Sequence, residues 1–188
     1  MLRLRRIHSN SSPAGLCFVV VVVCLVGSRM AGAQQPAAQS GPTTAKAEIK
    51  SAQGQTVGHA DLIGGPHGVI VKLRLDKAPA GEHALHIHET GKCDAPKFES
   101  AGDHLNPSGG THGVLSAKGP HAGDLPNVHV SQAGSTELEL FVAGAHLGGE
   151  ESLLDADGAA IVLHAKPDDH RTDPAGNSGD RIACGVIR

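Results

Sequence analysis

Two histidines spaced two residues apart are the simplest candidate for chemistry in this chain. His86 and His88 alternate with apolar Leu85 and Ile87 in a strand-like run. Because residues i and i+2 of a β-strand point to the same side, both imidazoles can reach one metal ion. A solvated polar strand face is the alternative, since a lone His-x-His pair arises easily, and the pair alone does not decide between the two.

Further candidate ligands follow along the chain, and their number favours a metal. Three imidazoles and one carboxylate suit a closed, four-coordinate Zn²⁺ site, and their spacing of 8, 9 and 3 residues requires a loop folded around the ion. Another histidine, His164, and an aspartate, Asp168, lie further on. Any one of these residues could also be an ordinary solvated loop residue, but together they indicate a metal centre. The three imidazoles and the carboxylate belong to His104, His112, His121 and Asp124.

The composition agrees with a metal protein and argues against a nucleic-acid partner. Histidine is the commonest metal ligand, and the 188 residues include 13 histidines. Lys and Arg number 16 against 19 Asp and Glu, and four of the 16 lie in an N-terminal segment that we interpret as removable. The remainder is acidic, which disfavours binding to nucleic acid or to an anionic membrane surface.

Eight short runs with a period of two must supply the elements that position these ligands. Such runs, in a chain with 25 Gly and 11 Pro and no helical stripe, are typical of antiparallel β proteins. We therefore predict an all-β fold, an eight-stranded antiparallel Greek-key barrel or sandwich of the immunoglobulin-like type. The runs cover residues 47–50, 57–62, 69–75, 84–88, 128–130, 136–142, 159–164 and 182–187.

Two stretches between these runs, 89–127 and 165–181, are too long to be tight turns. Loops longer than about 15 residues in a compact domain are usually functional or disordered. Both contain His, Asp and Gly, so we predict two long functional loops.

The N-terminus has the parts of a secretory signal. Three arginines precede an 11-residue apolar run at 16–26, and Ala31-Gly32-Ala33 offers a cleavage site before Gln34. The run is shorter than the roughly 20 residues of a membrane span, although an uncleaved anchor is the alternative. We predict a signal peptide at 1–33, a flexible linker at 34–44 and one domain at 45–188. The protein would be exported to the periplasm, with full secretion as the alternative, and would not associate stably with a membrane after cleavage.

Two cysteines, Cys93 and Cys184, remain after the predicted cleavage. An even pair in an exported chain predicts one disulfide, with two free buried thiols as the alternative.

Three segments of the chain resemble the signatures of the copper–zinc superoxide dismutases. GEHALHIH at 81–88 resembles G-x-H-x-x-H-x-H, and SAGDHLNP at 100–107 resembles S-A-G-x-H-x-N-P. GNSGDRIACGVI at 176–187 resembles G-N-x-G-x-R-x-A-C-G-V-I. The order is the same, and the resemblance covers residues 45–188. It implies an oxidoreductase that disproportionates superoxide to O₂ and H₂O₂ for antioxidant defence, with one copper and one zinc per subunit.

The resemblance also implies roles for individual residues. Arg181 matches the arginine that guides superoxide to copper, and His104 matches the histidine shared by both metals. Asp168 matches an outer-shell aspartate that binds a copper-ligand and a zinc-ligand histidine, and His83 matches a structural histidine. Cys93 and Cys184 match the family disulfide. The implied copper ligands are His86, His88, His104 and His164. The implied zinc ligands are His104, His112, His121 and Asp124.

Some properties stay open at this point. The 11 residues from Cys93 to His104 resemble the exported bacterial type, whose members include monomers and dimers, so a homodimer stays open. The second loop is short, and Lys92 or Lys97 is a candidate for steering superoxide instead. A metal-binding module without turnover is the competing function, but it would need no anion-guiding Arg181. We expect solvent-exposed surface positions, without a role, for His59, His67, His129, His146 and His170.

Overall fold

The described part of the protein, residues 43–149 and 152–188 of a computed structural model, consists of β-strands and loops. Within it there are nine strands, one 3₁₀ turn at Glu99–Ala101 and no α-helix. None of these residues forms a helix of the length and apolarity that a membrane crossing requires. The predicted signal peptide and all but the end of the linker lie outside the described residues. The strands are β1 (Thr44–Ser51), β2 (Thr56–Gly65), β3 (Gly68–Leu75), β4 (Gly81–His83), β5 (Leu85–His88), β6 (Val128–Val130), β7 (Thr136–Ala143), β8 (Ala160–His164) and β9 (Arg181–Val186).

The strands form one curled antiparallel sheet with a small companion pair. Seven of them follow the order β5-β8-β9-β1-β2-β3-β7, and β4 pairs with β6. Because β3 lies beside β7 and β5 beside β8, the chain makes the long crossovers of a Greek key. The all-β prediction is confirmed, and all eight predicted runs are strands. β4 is the strand that the pattern does not predict, and only Ala84 separates it from β5.

Alternation of more buried with more exposed side chains along β1, β3 and β7 places the core inside the curled sheet. In β3, Val69, Val71 and Leu73 are buried while Lys72 and Arg74 are exposed. β7 repeats the pattern in register beside it. Burial of such aliphatic side chains contributes about 25 cal/mol per Å² of apolar surface removed from water, and it drives the sheet to close on itself.

β5 and β8 are buried on both faces, which prepares the functional site. One face of each carries leucine and isoleucine into the main core. The other face carries histidines and small residues toward the loops. There Phe98 packs with Ala160, Val162 and Cys184 in a second, smaller apolar cluster.

The two long loops predicted from the sequence are present, and they cover this second face. The first long loop (89–127) joins β5 to β6, and the second long loop (165–180) joins β8 to β9. Arg181, which the sequence assigns to the second loop, is the first residue of β9. A third connection, between β7 and β8, is also longer than a turn and was not predicted.

A disulfide between Cys93 and Cys184 ties the first long loop to β9, as the cysteine pair predicts. The two Cα atoms lie 5.7 Å apart, and the residues are separated by 91 positions. Free thiols at these positions are therefore excluded, and the cross-link is of the kind that exported proteins keep.

Reduction of this disulfide should destabilise the metal-free protein. A 91-residue loop closed by a cross-link removes unfolded-state entropy worth about 4–5 kcal/mol in the chain-entropy model. We expect the melting temperature to fall by roughly 10–20 °C in thermal unfolding with and without reductant. An unchanged melting temperature, with free thiols verified by alkylation, would contradict this account.

Candidate metal centre

The first long loop is pinned to β5 by backbone hydrogen bonds that place two candidate ligands. The Ile87 N–H donates to the Gly123 carbonyl, and the Leu105 N–H donates to the Ile87 carbonyl, both at 2.9 Å. A Cβ atom at position 123 would collide with the Ile87 carbonyl, so this approach requires glycine. As a result His104 and Asp124, each next to one of these contacts, lie beside the histidines of β5.

Four histidines meet at the covered face of β5 and β8. One ring nitrogen from each lies within 4.8 Å of the others, and all four residues are buried. Two come from β5, where the i and i+2 spacing puts them on one side. One comes from the last position of β8, and one from the first long loop. This four-histidine group consists of His86, His88, His104 and His164.

Hydrogen bonds at the outer nitrogens fix how three of these rings are turned. His86 Nε2 donates to Asp168 Oδ2 at 2.8 Å, and His88 Nδ1 donates to the Gly102 carbonyl at 2.9 Å. His164 Nδ1 faces the Gly179 carbonyl at 3.2 Å and the Ser178 hydroxyl at 3.0 Å. Each ring therefore keeps its proton on the outside and turns a bare lone pair inward.

The inward nitrogens of this group are buried without a hydrogen-bond partner. They are Nδ1 of His86 and Nε2 of His88, His104 and His164. Four converging lone pairs that accept no proton are the donor set of a metal site, and imidazole suits copper. The residues present therefore fit a copper ion.

Burial keeps three of these four histidines neutral. It lowers the pKa of His86 to about 4, that of His164 to about 3 and that of His88 to about 2. A metal-binding imidazole must be unprotonated, so these shifts favour metal binding at neutral pH.

A second group surrounds one oxygen of Asp124. Its Oδ1 atom lies 2.8 Å from His104 Nδ1, 3.0 Å from His112 Nδ1 and 3.3 Å from His121 Nδ1. The edges of a tetrahedron with Zn–N bonds of 2.0–2.1 Å measure about 3.3–3.4 Å, so the spacing of these atoms is close to that of a zinc site. Hydrogen bonds from the backbone N–H of Gly113 and His121 hold the other oxygen at 2.8 and 3.0 Å.

His86 also lies within 4.8 Å of three members of the second group, His104, His112 and Asp124. We assign His121 rather than His86 to that group. The Nδ1 of His121 faces both Asp124 Oδ1 and His104 Nδ1, at 3.3 and 3.4 Å, whereas His86 commits Nε2 to Asp168.

His104 is the residue that belongs to both groups. Its Nδ1 faces Asp124, and its Nε2 is the unpartnered atom in the four-histidine group. Its ring centroid lies 4.0 Å from that of His86 and 5.5 Å from that of His121. One imidazole thus presents a nitrogen to each site.

Asp168 joins the two groups a second time, from outside. Its Oδ2 accepts from His86 Nε2 at 2.8 Å and its Oδ1 from His112 Nε2 at 2.9 Å. Burial alone would raise the pKa of Asp168, but these hydrogen bonds outweigh it and hold the pKa below its usual range. Gly176 makes room for this contact, because a Cβ atom there would collide with the Asp168 carboxylate.

Asp124 shows the same balance. Burial raises the pKa of this carboxyl group, whereas hydrogen bonds from His104 and the Gly113 N–H lower it, and the net effect is a pKa below the usual range. Both aspartates are therefore anions, which is the form that a cation site needs.

Arg181 stands at the wall of a solvent-open channel of about 570 Å³ that also borders His104 and His164. Its Nη1 donates to the Phe98 carbonyl and its Nη2 to the Gly102 carbonyl, both at 2.8 Å. These two hydrogen bonds hold the guanidinium rigidly. Among the described residues that line the channel, Arg181 carries the positive charge, and the other charged side chains are carboxylates. Neither lysine expected to steer superoxide lines this channel, and Lys97 instead pairs with Glu99 at 3.7 Å.

The remaining histidines are buried, half-buried or exposed. His83 is buried behind the site, with its ring nitrogens 2.8 and 2.9 Å from the carbonyls of His164 and Pro79. His170, expected at the surface, is half-buried because its N–H donates to Asp168 Oδ1 at 2.6 Å. His146 is also half-buried, whereas His59, His67 and His129 are exposed as expected.

The shifted pKa values predict how the metal-free protein responds to acid. His86, His88 and His164 are neutral when folded but take up protons near pH 6.5 when unfolded, so the unfolded state binds more protons. The free energy of unfolding should therefore fall between pH 6.5 and pH 4, by up to about 1.4 kcal/mol per histidine and pH unit. Denaturant unfolding at a series of pH values, after dialysis against a chelator, measures this. A flat profile over that window would refute the buried neutral cluster.

Comparisons with known proteins agree with this geometry. The sequence profile described as copper/zinc superoxide dismutase matches residues 43–187. A Cu-Zn superoxide dismutase of Aquifex aeolicus is 45% identical over 145 residues, covering 76% of this chain and 86% of that protein. One from Caulobacter vibrioides is 43% identical over 149 residues, covering 77% and 86%.

The fold also matches a solved structure. The crystal structure of a superoxide dismutase-like protein from Bacillus subtilis superposes with a TM-score of 0.73 at 33% identity, covering 76% of this chain and 97% of that one. The profile match spans most of the chain, and the relatives align over most of their own length. This chain therefore belongs to the copper/zinc superoxide dismutase family.

Proposed function

We propose that this protein disproportionates superoxide to O₂ and H₂O₂ with a copper ion held by the four-histidine group and a zinc ion held beside it. His86, His88, His104 and His164 would bind copper. His104, His112, His121 and Asp124 would bind zinc.

The single observation that carries this proposal is the position of His104. A ring whose two nitrogens face two different ligand groups is what a site with two coupled metals needs. Copper, when bound, supplies the one-electron redox chemistry that zinc lacks, so that one superoxide is oxidised to O₂ while a second is reduced, with two protons, to H₂O₂. Each subunit would be complete by itself, because all named ligands belong to one chain.

The protein's own residues would bind the anion and supply a proton. Arg181 would attract superoxide through its charge, and its two bonds to backbone carbonyls would hold the guanidinium in place without reorganisation. His104 Nε2 is the atom that can take up a proton and pass it to the reduced substrate. Asp168 would keep the rings of His86 and His112 oriented throughout.

We further propose that this activity lies outside the cytoplasm, in the periplasm, after cleavage of residues 1–33. The disulfide supports export, because such bonds persist in oxidising compartments. Residues 34–44 would link the cleavage site to the domain at 45–188, and the mature protein would be free of the membrane.

Metal analysis combined with a superoxide assay tests the proposed function. We expect one copper and one zinc per chain in the reconstituted mature protein, with turnover lost after copper removal and regained on copper addition. Full metal loading without turnover would identify a storage or delivery module instead, and full zinc without copper would reject the enzyme.

Replacement of His164 by alanine should separate the two sites. His164 belongs only to the four-histidine group, so His164→Ala should lower activity by orders of magnitude and weaken copper binding while zinc content stays near one per chain. His67→Ala, at an exposed turn, is the matched control and should behave as wild type. Near-normal turnover of His164→Ala would mean that the ligand assignment is wrong.

Replacement of Arg181 should lower the rate without removing either metal. Arg181→Ala should slow turnover about tenfold, equivalent to about 1.4 kcal/mol, and Arg181→Lys should recover part of the rate because it keeps the charge. The alanine variant should also lose about 1–3 kcal/mol of stability, since the two hydrogen bonds of the guanidinium to backbone carbonyls are removed and each contributes about 0.5–1.5 kcal/mol.

The control for this pair is Arg74→Ala on the outer face of β3, where Arg74 is exposed. Steady-state rates, metal content and thermal unfolding distinguish the outcomes. A full rate in Arg181→Ala, or loss of its copper, would show that Arg181 does not act on the anion.

A further inference from the structure

A side-chain amide joins the two long loops at the aspartate that bridges the two groups. Asn127 is the last residue of the first long loop. Its Oδ1 accepts the backbone N–H of Asp168 at 2.8 Å, and its Nδ2 donates to the backbone carbonyl of Asp168 at 2.9 Å. The remaining N–H of the amide faces His170 Nε2 at 3.4 Å. One side chain thus satisfies both backbone polar groups of Asp168 across 41 positions of sequence.

We propose that Asn127 is a positioning residue that holds Asp168, and through it the rings of His86 and His112, in the orientation that the two metals need. The proposal rests on the proposed function only for the identity of the metals.

The physical reason is the short reach of aspartate. Only two rotatable bonds separate the Asp168 carboxylate from its backbone, so a fixed backbone fixes both oxygens. Those oxygens lie 2.8 and 2.9 Å from His86 Nε2 and His112 Nε2, within the narrow range of a charge-assisted hydrogen bond. A small shift of the Asp168 backbone would lengthen both bonds together, and each ring would lose the partner that fixes its tautomer and tilt.

Asn127 lies outside the three segments that resemble the family signatures, and the hydrogen bonds of its amide go to Asp168 and His170, not to a proposed metal ligand. Its role is therefore separable from ligation. Loss of an outer partner of a metal-binding histidine typically lowers metal affinity 10- to 100-fold, so an effect passed on through Asp168 should lie at the lower end of that range.

The test is a double-mutant cycle on the metal-loaded protein. In Asn127→Ala we expect zinc release to a chelator to accelerate about tenfold and the electron paramagnetic resonance spectrum of Cu²⁺ to change. In an Asp168→Asn background, the same substitution should add less than twofold, because the residue through which it acts is already altered. Asn127→Asp keeps the acceptor for the Asp168 N–H but sets a carboxylate oxygen against the Asp168 carbonyl, which only a donor can satisfy, so this variant should accelerate zinc release as well.

Asn177→Gly is the matched control. The Asn177 amide binds Asp169 Oδ2 and Thr172 Oγ1 within the second long loop, at 2.9 and 3.2 Å. Its backbone φ of 54° suits glycine. This variant loses loop hydrogen bonds without touching Asp168, and should leave zinc release and the copper spectrum as in wild type.

Exchange of the ring N–H protons in the metal-free protein distinguishes failure of this inference from failure of the proposed function. Protons on His86 Nε2 and His112 Nε2 should exchange faster in Asn127→Ala than in wild type, whichever metals bind. Unchanged exchange, or effects that add fully in the double variant, would overturn the positioning role. A lower melting temperature with unchanged release and unchanged spectrum would overturn it as well.

Discussion

The structure depends on burying many polar rings in one place without satisfying all of them by hydrogen bonds. The four histidines of the first group and both aspartates are buried. Five imidazole nitrogens in the site have no hydrogen-bond partner: the four inward nitrogens of that group and Nδ1 of His112. Leaving a buried polar atom without a partner costs about 1–3 kcal/mol, so such a cluster is stable only if something else compensates. Two bound cations would provide that compensation, because each lone pair would be donated to a metal. The site is therefore the part of the fold whose stability depends most on bound metal.

The architecture around the site serves to hold this arrangement in place. β5 and β8 give one face to the core and the other to the histidines, so the ligands stand on rigid strands. Backbone bonds between Ile87 and the first long loop carry His104 and Asp124 to them. The disulfide closes the loop against β9, and Arg181 fastens the same loop through two carbonyls while it faces the channel. Contacts that stabilise the loop are therefore the same ones that shape access to the site.

Much of this could be predicted from the sequence, for physical reasons. The two-residue period reveals strands directly, and it also places His86 and His88 on one face. Only two cysteines remain outside the segment interpreted as a signal peptide, which leaves little choice of disulfide partner. The long loops follow from the absence of any period between the runs, and the family resemblance implies which of their residues are ligands.

Other features leave no pattern in the sequence. The acceptors of Arg181 are backbone carbonyls, which every residue has, so its anchoring to Phe98 and Gly102 is invisible before folding. The hydrogen bonds between the Asn127 side chain and the backbone of Asp168 are equally invisible in the sequence, because they also join a side chain to a distant backbone. β4 is too short for a period to appear. The hydrogen bond that the His170 backbone N–H donates to Asp168 Oδ1 cannot be predicted from the residue type, because every residue except proline has this donor.

In the proposed site one ring serves two metals, and diffraction from crystals of the oxidised, metal-loaded protein tests this most directly. Data collected on either side of the copper and zinc absorption edges locate each element separately. We predict one copper peak bonded to Nε2 of His104 and one zinc peak bonded to Nδ1 of the same ring. A single peak, or two peaks that leave either nitrogen of His104 unbonded, would contradict the account.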